Sequence, residues 1–230
     1  MKFKHIFFDL DNTLWDFEKN SNITLTYLVG KFDLISKGID NAASFIKKYR
    51  VHNDHLWSLY REDKISKNEL RTERFRLTLQ EYKIENQELA DNIGLAYIQQ
   101  SPLKTILFPF AVEVLEYLYQ NYTLHIITNG FEEVQHIKIN SSGLKSYFNN
   151  IITSEQVGVK KPDIRIFRYA LEKANALANE SLMIGDDLPV DILGAKDIGI
   201  KGVYFNPKGN LHTEDIWKEI SSLKELIQIL

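Results

Sequence analysis

The chain has 230 residues, 44% of them hydrophobic and 26% charged, which fits one globular domain with an insertion and excludes disordered or collagenous chains. With 28 Lys and Arg against 31 Asp and Glu the formal net charge is −3, and no strongly basic block stands out, which disfavours a nucleic-acid polymer as partner. The chain contains no cysteine, so disulfides, thiolate nucleophiles and cysteine-ligated metal centres are excluded.

The first ten residues, MKFKHIFFDL, combine a charged start with a very short apolar run, Ile6–Phe8. A membrane-spanning helix needs about 20 apolar residues, and a signal-peptide core is also longer than this run. We therefore expect a cytoplasmic protein that does not associate with a membrane. The sequence gives no indication of the oligomeric state.

Short apolar runs that predict strands recur along the chain, at residues 3–8, 123–128, 150–154, 181–185 and 202–206. From residue 105 onward they alternate with stretches that predict helices, at residues 111–119, 132–140, 164–175, 189–196 and 217–229. This alternation is typical of a doubly wound α/β fold with a parallel sheet. We predict that residues 1–15 and 105–230 form this core.

Residues 16–104 interrupt the alternation with amphipathic helical patterns and no convincing strand. One face of a predicted helix collects apolar and aromatic residues at helical spacing, namely Phe45, Tyr49, Leu56, Leu59 and Tyr60. Ser66 and Glu69 form a capping box for a further helix. We interpret Arg71, Arg74 and Arg76 on this helix as a solvated face, with contact to an anionic substrate as the alternative. We predict an inserted all-α domain at 16–104 that acts as a cap on the core.

Two carboxylates, Asp9 and Asp11, follow the first predicted strand, at the end of the strand where open α/β sheets bind ligands. Carboxylates this close repel as anions unless one is protonated or a cation lies between them, an arrangement that suits acid–base or metal chemistry. A helix cap or turn is the alternative interpretation. A calcium loop is excluded, because its sixth position is Leu14 rather than Gly and its twelfth is Asn20 rather than Glu.

Three further polar segments follow predicted strands. The TNG segment at 128–130 offers a hydroxyl and backbone N–H groups to a phosphate, with a tight Asn-Gly turn as the alternative. The KKP segment at 160–162 offers a lysine to a phosphate, with a solvated loop as the alternative. The GDDLPVD segment at 185–191 is predicted to place Asp186 beside Asp9 and Asp11, and carboxylate oxygens are ligands that Mg²⁺ prefers. The alternative is that its acids only place negative charge at a helix N-terminus.

In this order, DLDNT, ITNG, KKP and GDDLPVD resemble the four signature motifs of the haloacid dehalogenase-like hydrolase superfamily, across essentially the whole chain. The resemblance implies a Rossmann-like sheet core with an inserted all-α cap domain. The segments TLWDF and LMIGDDLPVDILGA are most similar to the pyrimidine 5′-nucleotidase branch. Haloacid dehalogenases lack the second acid of the first motif, so Asp11 disfavours dehalogenation.

The resemblance implies a hydrolase that releases phosphate from a small phosphorylated metabolite, such as a nucleoside 5′-monophosphate, through an aspartyl-phosphate intermediate. It assigns catalysis to Asp9, Asp11, Thr128 and Lys161, with Asp9 as the nucleophile. Asp11 protonates the leaving group and then activates water. Substrate binding falls to Thr128, Asn129 and Lys161, which hold the phosphate.

The resemblance also implies a Mg²⁺ cofactor, held by the Asp9 side chain, the Asp11 backbone carbonyl and Asp186. Asp187 and Asp191 are supporting acids whose order of importance the motif leaves open. A phosphomutase of the same superfamily and a non-catalytic phosphate- or metal-binding module are the alternative functions.

Overall fold

The computed structural model describes residues 3–230 of the chain. They group into two compact units, one formed by Glu18–Lys104 and the other by the described part of Met1–Phe17 together with Thr105–Leu230. No helix among the described residues is both long and apolar enough to span a bilayer.

The second of these units is built around one six-stranded sheet. Its strands are β1 (His5–Phe8), β2 (Thr123–Thr128), β3 (Phe148–Thr153), β4 (Ser181–Gly185), β5 (Lys201–Phe205) and β6 (Lys218–Ile220). They lie in the order β3-β2-β1-β4-β5-β6, and every neighbouring pair is parallel. This is the doubly wound Rossmann order, in which the chain reverses direction across the sheet beside β1 and leaves a crevice at the carboxyl ends of the strands. The predicted fold class is confirmed.

Helices complete both units. They are α1 (Phe17–Lys31), α2 (Ala42–Arg61), α3 (Lys67–Gln80), α4 (Gln87–Gln100), α5 (Ala111–Tyr119), α6 (Glu132–Ser141), α7 (Ser154–Val157), α8 (Ile164–Ala174), α9 (Gly194–Lys196) and α10 (Leu226–Ile229). A π-helical turn, Leu188–Leu193, precedes α9. The helices of the α/β unit connect parallel strands, which cannot be joined by a tight turn.

Apolar cores cover both faces of the sheet. Successive side chains of a strand point to opposite faces, so Ile6 and Phe8 lie in one core and Phe7 lies in the other. In the same way Ile126 and Ile127 of β2 belong to different cores. Burial on both faces explains why these strands are continuous apolar runs rather than alternating patterns.

The helix predicted over residues 217–229 is wrong in its first half. Lys218–Ile220 forms the edge strand β6, which pairs with β5 through Phe205 and Ile220, and a helical turn begins only after Ser222. Ser222 and Glu225 form a capping box at that point, which defines the start of the turn. Backbone pairing with β5 therefore outweighs the local helical pattern of this segment.

The helical unit Glu18–Lys104 has an apolar core of its own. The predicted capping box of Ser66 and Glu69 is present. Four of the five side chains predicted to share a helix face are buried, and Leu59 is half-buried.

The interpretation of Arg74 as a solvated side chain is wrong. It is 3% exposed, and its guanidinium lies 4.8 Å from the ring centroid of Tyr97 and 5.3 Å from that of Phe75. It also donates a 3.2 Å hydrogen bond to Asn53 Oδ1. Aromatic faces attract a cation and cover its aliphatic stem, which allows this arginine to be buried in the helical unit.

Candidate active site

The carboxyl ends of β1, β2 and β4 bring together side chains from all four sequence motifs. Asp9 continues β1, with its backbone N–H donating to Ile184 O of β4 at 2.9 Å. Thr128 is the last residue of β2, and Asp186 directly follows β4. The parallel order of the sheet explains this meeting, because β2 and β4 are the two neighbours of β1 and β3 lies next to β2.

Lys161 joins the motifs electrostatically. Its ammonium donates to Asp9 Oδ1 at 2.6 Å, to Asp191 Oδ1 at 2.6 Å and to the backbone carbonyl of Ile127 at 2.8 Å. The Lys161 side chain is 2% exposed. Lys161, which the resemblance selected over Lys160, is thus in contact with Asp9, and its catalytic role stays a prediction.

The Asn129 side chain holds the backbone of Lys161 from both sides. Asn129 Nδ2 donates to Lys161 O at 2.9 Å, and Asn129 Oδ1 accepts from Lys161 N at 2.8 Å. Thr128, which is 1% exposed, accepts a 3.1 Å hydrogen bond at Oγ1 from the N–H of Gly130. The second motif therefore also positions the third, a function of Asn129 that sequence analysis did not predict.

Three carboxylates converge at this site. Asp9, Asp186 and Asp191 each offer an oxygen, and these oxygens lie within 4.8 Å of one another. Thr13 Oγ1 donates to Asp186 at 3.1 Å. A side chain at position 185 would collide with Asp191, since a Cβ on Gly185 would lie 2.2 Å from Asp191 Oδ2.

Burial and mutual repulsion disfavour the charged forms of these acids. Burial raises the pKa of Asp9 to about 7, although the neighbouring Lys161 ammonium opposes this rise. Burial, followed by the nearby Asp9 carboxylate, holds the pKa of Asp186 well above its usual range. Burial would lower the pKa of Lys161, but the carboxylates of Asp191 and Asp9 raise it above its usual value.

Three carboxylates around one ammonium leave an excess of negative charge in a buried place. A divalent cation bound by carboxylate oxygens would offset that excess, and oxygen ligands are those that Mg²⁺ prefers. The donor set of Asp9, Asp186 and Asp191 therefore fits such an ion. Asp191, which the sequence left unranked, belongs to this group, whereas Asp187 accepts from Val190 N at 3.2 Å and caps the following helical turn.

Asp11 directs its carboxylate to α6. Its Oδ2 accepts from Gln135 Nε2 at 2.7 Å, and its Oδ1 accepts from Lys138 Nζ at 2.5 Å. The involvement of its backbone carbonyl in metal binding stays a prediction. Sequence analysis missed Gln135 and Lys138, and the available signal was their spacing of three residues, which places them on one helix face just after the TNG segment.

Comparison with known proteins identifies the family of the chain. Residues 3–199 match the family model described as haloacid dehalogenase-like hydrolase. The chain belongs to this family of hydrolases. The predicted family and the prediction of an enzyme are thereby confirmed.

Among curated relatives of this haloacid dehalogenase-like hydrolase, pyrimidine 5′-nucleotidase YjjG of Escherichia coli is 32% identical over 234 residues, covering 100% of this chain and 99% of the relative. Pyrimidine 5′-nucleotidase PynA of Streptococcus pneumoniae is 31% identical, covering 90% of this chain and 85% of the relative. The similar solved structures include the putative HAD-hydrolase YfnB of Bacillus subtilis bound to magnesium. It has a TM-score of 0.89 and 28% identity, covering 100% of this chain and 99% of that chain.

Proposed function

We propose that this hydrolase is a Mg²⁺-dependent phosphomonoesterase that acts on a small phosphorylated metabolite, with nucleoside 5′-monophosphates as the substrate class. The observation that carries the proposal is the buried contact of Lys161 with Asp9 and Asp191 beside Asp186. This arrangement supplies a carboxylate nucleophile, a fixed cation for phosphate oxygens and a set of oxygen ligands for a metal. The two pyrimidine 5′-nucleotidases among the relatives support the substrate class.

In the first half of the proposed reaction, an Asp9 carboxylate oxygen attacks the phosphorus of the ester. The bond from phosphorus to the leaving oxygen breaks, and that oxygen takes a proton from Asp11 and departs as an alcohol. Thr128 and Lys161 hold the phosphoryl oxygens, on which charge is distributed in the transition state. The three N–H donors of the Lys161 ammonium are all engaged, by Asp9, Asp191 and the Ile127 carbonyl, so the donor that contacts Asp9 turns to a phosphoryl oxygen when Asp9 binds the phosphorus.

In the second half, Asp11 is a carboxylate and accepts a proton from water as the water oxygen attacks the phosphorus. The bond between Asp9 and phosphorus breaks, which releases inorganic phosphate and restores the Asp9 carboxylate. Asp11 ends the cycle protonated, ready for the next leaving group. One residue thus serves as acid and then as base.

Asp9 and Asp186, with the Asp11 backbone carbonyl, would hold the Mg²⁺ ion, and Asp191, the third acid of the group, would stay paired with Lys161. Bound there, the ion would neutralise phosphate and carboxylate charge and so lower the repulsion between an anionic nucleophile and an anionic substrate. Thr13 orients one of these proposed ligands, because its Oγ1 donates a 3.1 Å hydrogen bond to Asp186.

We further propose the domain roles implied by the family resemblance, with residues 1–15 and 105–230 as the catalytic core and residues 16–104 as a cap that selects the leaving group. In the helical unit Arg74 is buried among aromatic rings, which is uncommon for a charged side chain.

The cytoplasmic location stays a prediction.

The test is phosphate release from a panel of nucleoside monophosphates, sugar phosphates and p-nitrophenyl phosphate, with Mg²⁺ or with a chelator. We expect Mg²⁺-dependent release by the wild type and a loss of at least about 1,000-fold for Asp9→Asn, because the amide is not a nucleophile for this step. The matched control is Asp215→Asn, since that aspartate side chain is fully exposed. Activity of Asp9→Asn close to the wild type would refute the assigned nucleophile, and isomerisation without phosphate release would indicate a mutase.

A further inference from the structure

The Asp11 carboxylate is held by two side chains of α6 that belong to none of the four motifs. Gln135 and Lys138 are three residues apart on α6 and are 1% and 4% exposed, respectively. Each donates to a different oxygen of Asp11, at 2.7 Å and 2.5 Å. These two hydrogen bonds therefore fix the orientation of the Asp11 carboxylate.

The Lys138 ammonium is itself confined on its other side. It lies 4.3 Å from the ring centroid of Trp15 and 5.7 Å from that of Phe17. Trp15 is completely buried, and aromatic faces attract cations. The ammonium is therefore held between the indole and the carboxylate, with little freedom to swing toward solvent.

The side chain of Gln135 extends to Asp11 past Gly130 of the second motif. A Cβ at Gly130 would lie 1.4 Å from Gln135 Nε2, so the absence of a side chain at Gly130 leaves the space that this amide occupies. Gln135 Oε1 is buried without a hydrogen-bond partner among the described residues. A buried acceptor left unpaired is unfavourable for stability, so stability alone does not explain why Gln135 is held in this position.

The backbone around Asp11 is already fixed without these two side chains. Asn12 N donates to Trp15 O, and Leu14 N and Trp15 N both donate to Leu10 O, at 2.9–3.0 Å. The donors from α6 therefore add order to the carboxylate rather than to the loop that carries it.

We propose that Gln135 and Lys138 are positioning residues that orient the Asp11 carboxyl for proton transfer to the leaving-group oxygen. This inference rests on the proposed phosphomonoesterase function. Each carboxyl oxygen accepts one hydrogen bond from α6 and retains a second lone pair, on which the transferred proton is carried. When the ester bond breaks, that proton passes from Asp11 to the leaving oxygen, and water returns one to Asp11 in the second half of the reaction.

The test compares two esters that differ in their need for a proton donor. Uridine 5′-monophosphate releases an alkoxide that must be protonated, whereas p-nitrophenyl phosphate releases a phenolate that is stable as an anion. For Lys138→Met we expect kcat/KM to fall about 10- to 100-fold with uridine 5′-monophosphate, less than the roughly 10²- to 10⁴-fold that an acid catalyst contributes, because Asp11 itself remains. With p-nitrophenyl phosphate we expect a fall of less than about threefold. For Gln135→Met we likewise expect kcat/KM to fall more with uridine 5′-monophosphate than with p-nitrophenyl phosphate. In both variants KM for uridine 5′-monophosphate stays within about twofold, because neither side chain holds the phosphate.

The matched control is Lys145→Met, an exposed lysine of the same unit, which leaves both esters unaffected. If Lys138→Met does not fold, Gln135→Met carries the same comparison, and Lys138→Arg is expected to retain more activity than Lys138→Met. An equal loss on both esters, or no loss on either, overturns the inference while the phosphomonoesterase function stands. A wild type that hydrolyses no phosphate ester removes the proposed function and this inference together.

Discussion

Asp191 accepts a 2.6 Å hydrogen bond from the ammonium of Lys161, and both side chains are 2% exposed. The same ammonium contacts Asp9 at the same distance. A buried cation between two carboxylates neutralises only one of them, so the site needs Lys161 for its stability and has spare negative charge for a metal ion.

Replacing Lys161 by Met is expected to destabilise the protein by about 3–5 kcal/mol, since it leaves Asp9 and Asp191 buried without their cation. Urea unfolding in a chelator measures this change. Lys145→Met is the matched control, because Lys145 is an exposed lysine of the same unit, and it should lose far less. Equal losses in the two variants would contradict the importance of the Lys161 contacts.

Mg²⁺ is expected to raise the free energy of unfolding, because an ion bound only by the folded state stabilises it by mass action, about 2.7 kcal/mol at 100 times its Kd. Urea unfolding of the wild type with and without Mg²⁺ measures the effect without any assay of activity. Asp186→Asn should abolish most of the gain, whereas Asp215→Asn, with its exposed side chain, should keep it. A gain that survives in Asp186→Asn would place the ion elsewhere.

Gly130→Ala is expected to displace the Gln135 side chain, because the new Cβ would lie 1.4 Å from Nε2 and 2.4 Å from Cδ. We expect a loss of about 1–3 kcal/mol, the usual range for overpacking. In a Gln135→Ala background the colliding atoms are absent, so adding Gly130→Ala should have a much smaller effect. Thermal or urea unfolding of the four proteins gives the coupling energy, and strict additivity would show that the two positions do not collide.

His125, in the middle of β2, is expected to make stability depend on pH. Burial, with a smaller contribution from His5, lowers its pKa to about 4. Asn150 Nδ2 lies 3.0 Å from His125 Nδ1, and His5 Nδ1 lies 3.2 Å from His125 Nε2, so the neutral ring satisfies both contacts.

The unfolded chain binds a proton at His125 near its ordinary pKa of about 6.5, and the folded chain does so only near 4. Stability linked to this group is therefore constant above about pH 6.5 and falls as the pH is lowered toward 4, by up to about 3 kcal/mol. Urea unfolding of wild type and His125→Gln between pH 7.5 and 4.5 tests this prediction. The wild type should lose more stability than the variant, and parallel curves would contradict it.

The sequence by itself determined the strands β1 to β5 and the family. The apolar runs around Phe7, Ile127 and Met183 mark strands buried on both faces, a local pattern that survives any arrangement of the sheet. Because three of the four motifs directly follow such a run, the carboxyl edge of a parallel sheet was sufficient to predict that Asp9, Thr128 and Asp186 lie along the same edge.

Only the tertiary structure decided which charged side chains pair. Lys161 contacts Asp9, which is 152 residues away in the chain, and Lys138 contacts Asp11 across 127 residues. The order and register of the strands create these contacts, and a local pattern contains neither. For the same reason Arg74 is buried against the ring of Tyr97 on another helix, and the segment 218–220 becomes a strand because β5 offers it an edge. Hydrophobic periodicity reports how deeply a residue is buried, whereas the partner of a buried charge depends on which element the fold brings beside it.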